Sequence, residues 1–411
     1  MTSDFGAAMR QALELTRSRK LIDATHVIQR ALSGRGPAQP AEPGPLASAP
    51  LLEPPAPSTT ANGDSPPTDE PMAAGGRAAW KDRPTARTRK PLGEVLRLLR
   101  EADRSGLMPK FAPGRKAPVV PVAEGAAYLN RSYACAAGSR DYTVYAPKGA
   151  RGRKHPLIVM LHGCTQNPDD FAVGTRMNRL ADELGFVVAY PGQALSANPS
   201  VCWNWFSPKD QTRDAGEPSI IAGITRAVAD EFGVDDEGVY VAGLSAGGAM
   251  AAIMSDLYPD LYSAAGIHSG LPSWSANDLP SAFAAMRGGP GAAAAKRRRV
   301  KGAKGRVRTI VFHGANDKTV DPSNARAILA DARAGVAGAV HEARQDGIAG
   351  GRAYTRAIVS DARGVPHAEL WEIDGLGHAW SAGSPDGSFT DSCGPDASRE
   401  MLRFFLRGTA R

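Results

Sequence analysis

Residues 239–252 read VYVAGLSAGGAMAA. Four apolar or small residues run into a glycine, a serine stands between two glycines, and a small-residue helix follows. This is G-x-S-x-G, residues 243–247, placed between a strand (238–243) and a helix (246–257). The glycines answer a steric demand: a serine on so tight a turn leaves no room for Cβ atoms beside it. The strain lifts the Ser245 hydroxyl clear of the sheet edge. The first N–H groups of the helix then point at any negative charge that develops there. A glycine-rich turn with a bystander serine is the alternative, and the strand–turn–helix context favours a nucleophile.

Working outward, the chain alternates strands and helices. DYTVYAP (141–147) alternates like a strand entering at a sheet edge. LIVMLHG (157–163), GFVVAYP (185–191), YSAAGIHSG (262–270), RTIVFHG (308–314) and AELWEIDG (368–375) read as further strands. Continuous apolar runs such as LIVML are expected where a parallel strand is covered on both faces. Helices are expected over 172–184, 217–232 and about 395–407. This pattern predicts an α/β fold with a mostly parallel, doubly wound sheet. No internal repeat is visible.

A serine needs a base to become a nucleophile, and behind such an elbow the chain order is Ser, acid, His. Of the eight histidines, His313, His341, His367 and His378 follow the elbow at a useful distance. His378, in GLGHAW after the strand at 368–373, hangs where a base belongs. His313 closes a buried strand and is expected to satisfy a backbone group. His341 and His367 are expected in polar connecting segments. For the acid, Asp317 in FHGANDKTV stands just past a strand end, and Asp321 is its rival, better suited to capping the next helix. The loop LHGCTQ (161–166) is placed to supply a second oxyanion donor, so the backbone N–H groups of Cys164 and Ala246 are expected to form the oxyanion hole. The Cys164 thiol lacks a plausible nearby base and is not read as a nucleophile. His162, Trp203 and Trp205 are candidate substrate-binding residues; CWNWF (202–206) reads either as an apolar wall or as a loop packing its aromatics on the sheet.

Composition bounds the remaining possibilities. The chain has 411 residues, 42% of them hydrophobic, which suffices for a large core. No run approaches the length of a membrane-spanning helix. The formal net charge of +7 is local, because residues 296–308 (KRRRVKGAKGRVR) carry eight Lys or Arg and no acid. Nucleic acid is therefore not expected as a partner. That run reads as a solvated surface insertion, or else as a contact for an anionic surface. The four cysteines, Cys135, Cys164, Cys202 and Cys393, show no zinc spacing. Cys202 lies within reach of Cys164, and Cys135 with Cys393 would make a second pair, although three connectivities stay open.

Residues 1–32 are expected to hold a helical segment. Eleven prolines between Pro37 and Pro71 mark 33–90 as a disordered linker. Residues 91–124 read as a short amphipathic helix with a connector, and 125–411 as the catalytic domain. The N-terminus lacks the apolar stretch of a signal peptide, which favours a cytoplasmic location.

LHGCTQNPDDF, CWNWF, GEPSIIAGI, VYVAGLSAGGAMAA, FHGANDKTV, GHAW and GSFTDSCGPDASREMLRFF together resemble the poly(3-hydroxybutyrate) depolymerase family of esterases, a group related to feruloyl and acetylxylan esterases. The resemblance covers roughly 125–411. It implies an α/β-hydrolase fold and carboxylic-ester hydrolysis through an acyl-enzyme, with no cofactor and no metal. The family's nucleophile, acid and base fall on Ser245, Asp317 and His378. It also offers an extracellular location as the alternative to the cytoplasm. The expected substrate is a short-chain polyhydroxyalkanoate. A soluble feruloyl, acetylxylan or small-ester esterase is the second reading. A non-catalytic granule- or surface-binding protein is the third.

Overall fold

Five short strands, buried along their whole length, form the middle of the molecule: β3 (Leu157–Leu161), β4 (Val187–Pro191), β5 (Val239–Leu244), β6 (Ala264–His268) and β7 (Arg308–Gly314), of which only Arg308 is partly exposed. The computed structural model describes residues 118–151, 154–289 and 307–406. The readings for 1–32, 33–90, 91–117 and for the basic run up to residue 306 lie outside the described residues.

The other strands are β1 (Ala127–Cys135), β2 (Gly138–Ala146), β8 (His341–Ala349), β9 (Arg352–Ser360) and β10 (Pro366–Ile373). A small separate pair, β11 (Trp380–Ser381) and β12 (Thr390–Asp391), completes the set. The main sheet has ten strands in the order β1-β2-β4-β3-β5-β6-β7-β10-β9-β8. The run from β4 to β10 is parallel, and antiparallel strands flank it on both sides. β2 is not the edge strand, since β1 pairs outside it.

Successive residues of a strand face opposite sides, and β3 shows the consequence. Leu157, Val159 and Leu161 join the core shared with α3 (Gly216–Phe232) and α4 (Ala246–Leu257). Ile158 and Met160 join the core shared with α1 (Pro168–Thr175), α2 (Met177–Leu184) and α7 (Ala397–Leu406). Two further helices, α5 (Leu279–Met286) and α6 (Ser323–Arg333), follow β6 and β7. The doubly wound architecture expected from the sequence is present.

Several local expectations are corrected. The single helix over 172–184 is two helices, broken where Arg176 adopts the left-handed conformation with φ 56°. His341 and His367 do not lie in connecting segments: His341 begins β8 and His367 sits in β10. β8 is exposed along most of its length and is held by backbone pairing with β9, so its polar sequence carries no apolar alternation. Arg308, counted in the basic run, begins β7 and donates to the carbonyls of Phe404 and Phe405 at the end of α7.

Cys164 and Cys202 are joined in a disulfide. Cys135 and Cys393 are both free. Cys135 ends β1 at one edge of the sheet, whereas the residue after Cys393, Gly394, hydrogen-bonds Gly350 beside β8 and β9, the opposite edge. The width of the sheet separates them.

Candidate active site

The carboxyl ends of β5, β6, β7 and β10 lie side by side, and the loops that leave them carry the candidate residues. Ser245 leaves β5 with φ 57° and ψ −118°, a conformation that costs a non-glycine residue on the order of 1–3 kcal/mol. The surroundings enforce it. A Cβ at Gly247 would lie 2.0 Å from the Leu161 carbonyl oxygen and 2.5 Å from that of His162, so only glycine lets α4 start this close to β3. The Ser245 N–H donates to the His268 carbonyl at 2.9 Å, which fixes the bend to the end of β6. Ser245 is half-buried rather than sealed in. Ala246 is the first residue of α4, so its N–H has no acceptor within the helix.

The acid and base meet across two loops. Asp317 Oδ2 and His378 Nδ1 are 2.7 Å apart. Asp317 is 4% exposed, and its Oδ1 accepts from the N–H groups of Thr319 and Val320, both at 2.9 Å. Burial pushes the Asp317 carboxyl up, but the hydrogen bond and charge of His378, with the Val320 N–H and His313, outweigh it and hold the carboxyl below its ordinary value. The two loops are packed backbone to backbone: a Cβ at Gly314 would lie 2.2 Å from the Leu376 oxygen, and Asn316 N–H donates to that oxygen at 3.0 Å. Asp321, the rival acid, accepts from the Ser323 N–H at the start of α6 instead. His313 bonds the Val320 carbonyl through Nε2 at 2.8 Å, the backbone role expected of it. Burial pushes its pKa down.

His162, Trp203 and Trp205 take supporting places. His162 is 1% exposed; Nδ1–H donates to the Gly163 carbonyl at 2.8 Å and Nε2 accepts from the Gln193 N–H at 3.0 Å. Burial pushes its pKa down to about 4. Trp203 is fully buried against the His162 ring, 5.7 Å between centroids, and Trp205 is buried with Phe206 edge-on to it. The loop packs these rings inward, so His162 and Trp203 shape the site from below and do not face solvent. The disulfide ties this loop to Cys164, the expected oxyanion donor.

The sequence reading missed two groups of residues. Buried Glu217 on α3 accepts from Asn204, Gln193 and Arg140, and so pins the 202–206 loop from beneath. His268 is buried between Trp380 and Phe312, with its Nε2 accepting from the Ser381 N–H at 3.1 Å. One histidine thus holds the Ser245 bend through its carbonyl and the strand just after His378 through its ring. Polar residues inside otherwise apolar runs, as in YSAAGIHSG, were the available signal.

The profile of the family described as Esterase PHB depolymerase matches residues 140–345. The chain belongs to the esterase PHB depolymerase family. The matched stretch of this family member holds Ser245 and Asp317, and His378 lies beyond it, brought in by its contact with Asp317. Among curated proteins, it is 31% identical over 247 residues to poly(3-hydroxyalkanoate) depolymerase C of Paucimonas lemoignei, covering 58% of each chain. It is 37% identical over 134 residues to feruloyl esterase B of Neurospora crassa, covering 32% of this chain and 44% of that one. The chain therefore spans little more than half, or less, of the length of these relatives. Among solved structures, acetyl xylan esterase from Aspergillus awamori superposes with a TM-score of 0.52 at 19% identity, over 68% of this chain and 98% of that one. That likeness shows the α/β-hydrolase fold. No helix among the described residues is long and apolar enough to cross a membrane.

Proposed function

We propose that this esterase-family chain hydrolyses carboxylic esters through an acyl-enzyme, with Ser245 as nucleophile, His378 as base and Asp317 as the group that orients it. The observation that carries the reading is the 2.7 Å contact between Asp317 and His378 at the sheet edge where Ser245 is held in its strained bend. His378 Nε2 takes the Ser245 proton as the hydroxyl attacks the ester carbonyl. The oxyanion is held by the N–H groups of Cys164 and Ala246, and Asp317 stabilises the imidazolium without taking its proton. The alcohol leaves with the proton from His378. Water, activated by the same imidazole, then releases the acid and regenerates Ser245.

A short-chain polyhydroxyalkanoate is the proposed substrate, on the ground of the family match and of the Paucimonas relative. A feruloyl- or acetylxylan-type ester is the second reading, favoured by the 37% identity to the Neurospora protein. The disulfide beside the proposed oxyanion hole favours an oxidising compartment over the cytoplasm. Ser245→Ala leaves the fold intact and lowers hydrolysis of p-nitrophenyl butyrate on the order of 10³-fold or more. Near-parental activity in that variant would remove Ser245 from the mechanism. Parallel assays on amorphous poly(3-hydroxybutyrate) and on methyl ferulate separate the two substrate readings.

A further inference from the structure

A carboxylate that no step above uses lies behind the proposed oxyanion hole. Asp170, on α1, is 8% exposed and receives three donors from two different parts of the chain. Its Oδ1 accepts from the Ser388 N–H at 2.9 Å. Its Oδ2 accepts from Gln166 Nε2 at 2.8 Å and from the Ser388 hydroxyl. Gln166, 3% exposed, passes the constraint on. Its Nε2 also donates to the Ser388 carbonyl at 3.0 Å, and its Oε1 accepts from the Gly163 N–H at 2.9 Å. Gly163 backs onto the nucleophile: a methyl group there would lie 3.6 Å from Ser245 Cβ. On the other side, Ser388 precedes Phe389, whose ring stands edge-on to His378 at 6.5 Å and whose carbonyl accepts from the Trp380 N–H at 2.7 Å.

We infer that Gln166 and Asp170 are positioning residues, which through one buried carboxylate lock the loop bearing the oxyanion donor Cys164 to the segment that walls His378. The inference rests on the ester-hydrolase reading and extends it. Geometry makes the direction of every bond definite. The Gly163 N–H is a donor, so Gln166 must present its oxygen there and its NH₂ to Asp170. An amide in place of Asp170 would set its NH₂ against either the Gln166 NH₂ or the Ser388 N–H. Only an ionised carboxylate accepts all three donors without a rearrangement. The ionisable groups on the elements that meet at the pair are His162 after β3, which feels the Asp170 charge and whose pKa burial lowers to about 4, Asp169 on α1, which takes the Tyr128 hydroxyl, Asp386 on the 384–389 loop, and His378 on the far side of Phe389. None of these is a permanent cation that would offset a second negative charge.

Gln166→Glu is the sharpest test, because it keeps the shape and makes the brace titratable. At acid pH the new carboxyl is protonated. It donates its one proton to Asp170 and accepts from Gly163, giving up only the amide's second donation, to the Ser388 carbonyl. As pH rises the shared proton leaves, and two buried carboxylates face each other where the amide–carboxylate distance was 2.8 Å. The measurement is kcat and KM for p-nitrophenyl butyrate across the pH range, on the full chain, with circular dichroism at each pH. The parent is expected to rise with pH and hold a plateau, as general-base catalysis requires. The variant is expected to follow the parent at the acid end and then lose about tenfold or more in kcat, with KM nearly unchanged, as the pair ionises. A variant profile that superimposes on the parent's would overturn the inference. Ser245→Ala run alongside keeps the two claims apart: a dead Ser245→Ala with a parent-like Gln166→Glu leaves ester hydrolysis standing and removes the brace. Should Gln166→Glu not fold, Ser388→Ala removes one donor to Asp170 and one acceptor of Gln166 Nε2; a kcat reduced several-fold at constant KM supports the brace, and an unchanged kcat overturns it.

Discussion

The β8–β9 ribbon and the carboxyl edge of β5, β7 and β10 belong to one continuous sheet, yet they are built on opposite terms. β8 pairs with β9 along nine residues and is exposed over most of them. β5 is buried throughout, and the residue that follows it is forced into a strained conformation. Strain persists only where the surroundings over-determine it. At Ser245 those surroundings are the Leu161 and His162 carbonyls against Gly247 and the His268 carbonyl on the Ser245 N–H. In the ribbon the comparable backbone contact is at the turn, where Gly350 with φ 52° meets the Gly394 backbone, and both positions are glycine. The difference teaches that the proposed chemistry sits where a non-glycine residue is held in strain by a backbone fixed from several directions.

Substitutions break or sharpen this contrast by graded amounts. Asp317→Asn removes the carboxylate that orients His378 while keeping its size, and kcat is expected to drop about 10³–10⁴-fold. Steady-state kinetics beside a melting curve separate that loss from unfolding. Reduction of the Cys164–Cys202 disulfide, or Cys202→Ser, frees the loop that carries the proposed oxyanion donor. The bridge spans 38 positions, so its loss is expected to cost about 3–4 kcal/mol of stability on the chain-entropy estimate. A several-fold lower kcat should accompany it, read by denaturant titration and turnover with and without a thiol reductant.

The buried histidines give a smaller, pH-dependent effect. His162 is held neutral with a folded pKa of about 4, below the unfolded value of about 6.5. The unfolded chain therefore binds the proton first. The stabilisation is complete above about pH 6.5 and is lost as pH falls towards the folded value. Between pH 7 and pH 5 this one ring accounts for about 2 kcal/mol. His268 and His313, also depressed by burial, act in the same sense. Unfolding free energies of the parent and of His162→Gln over that range should show a shallower slope in the variant. Smallest of all, Ile348→Ser on the ribbon, where Ile348 is 80% exposed, is expected to change stability by less than about 0.5 kcal/mol. It should leave kcat unchanged. A large effect there would mean that the ribbon contributes to the site.

What the sequence disclosed follows the same division. The central strands were legible because covering both faces demands unbroken apolar runs, and the elbow because its glycines are sterically required. The ribbon was not legible: HEARQDGIA pairs through its backbone and has no buried face to pattern its side chains. The break at Arg176 was hidden because nothing in the side chain announces a left-handed turn. Ser245, Asp317 and His378 could be chosen from their places after strands. Gln166, Asp170 and Ser388 could not, because Asp170 and Ser388 are 218 positions apart and meet only once the sheet has folded. The same holds for His268, whose ring meets a backbone N–H 113 positions on. His162, Trp203 and Trp205 were candidates for substrate binding, with inward packing of the CWNWF rings as the other reading of that loop, and their burial follows the packing reading.

The central claim is that the Ser245 hydroxyl is activated where the structure holds it. Exposure of the folded protein to a fluorophosphonate, followed by peptide mapping, tests it most directly. The account predicts one adduct per chain, on Ser245, formed rapidly in the parent and far more slowly in Asp317→Asn. Labelling at another residue, or none at all in protein that is demonstrably folded, would contradict it.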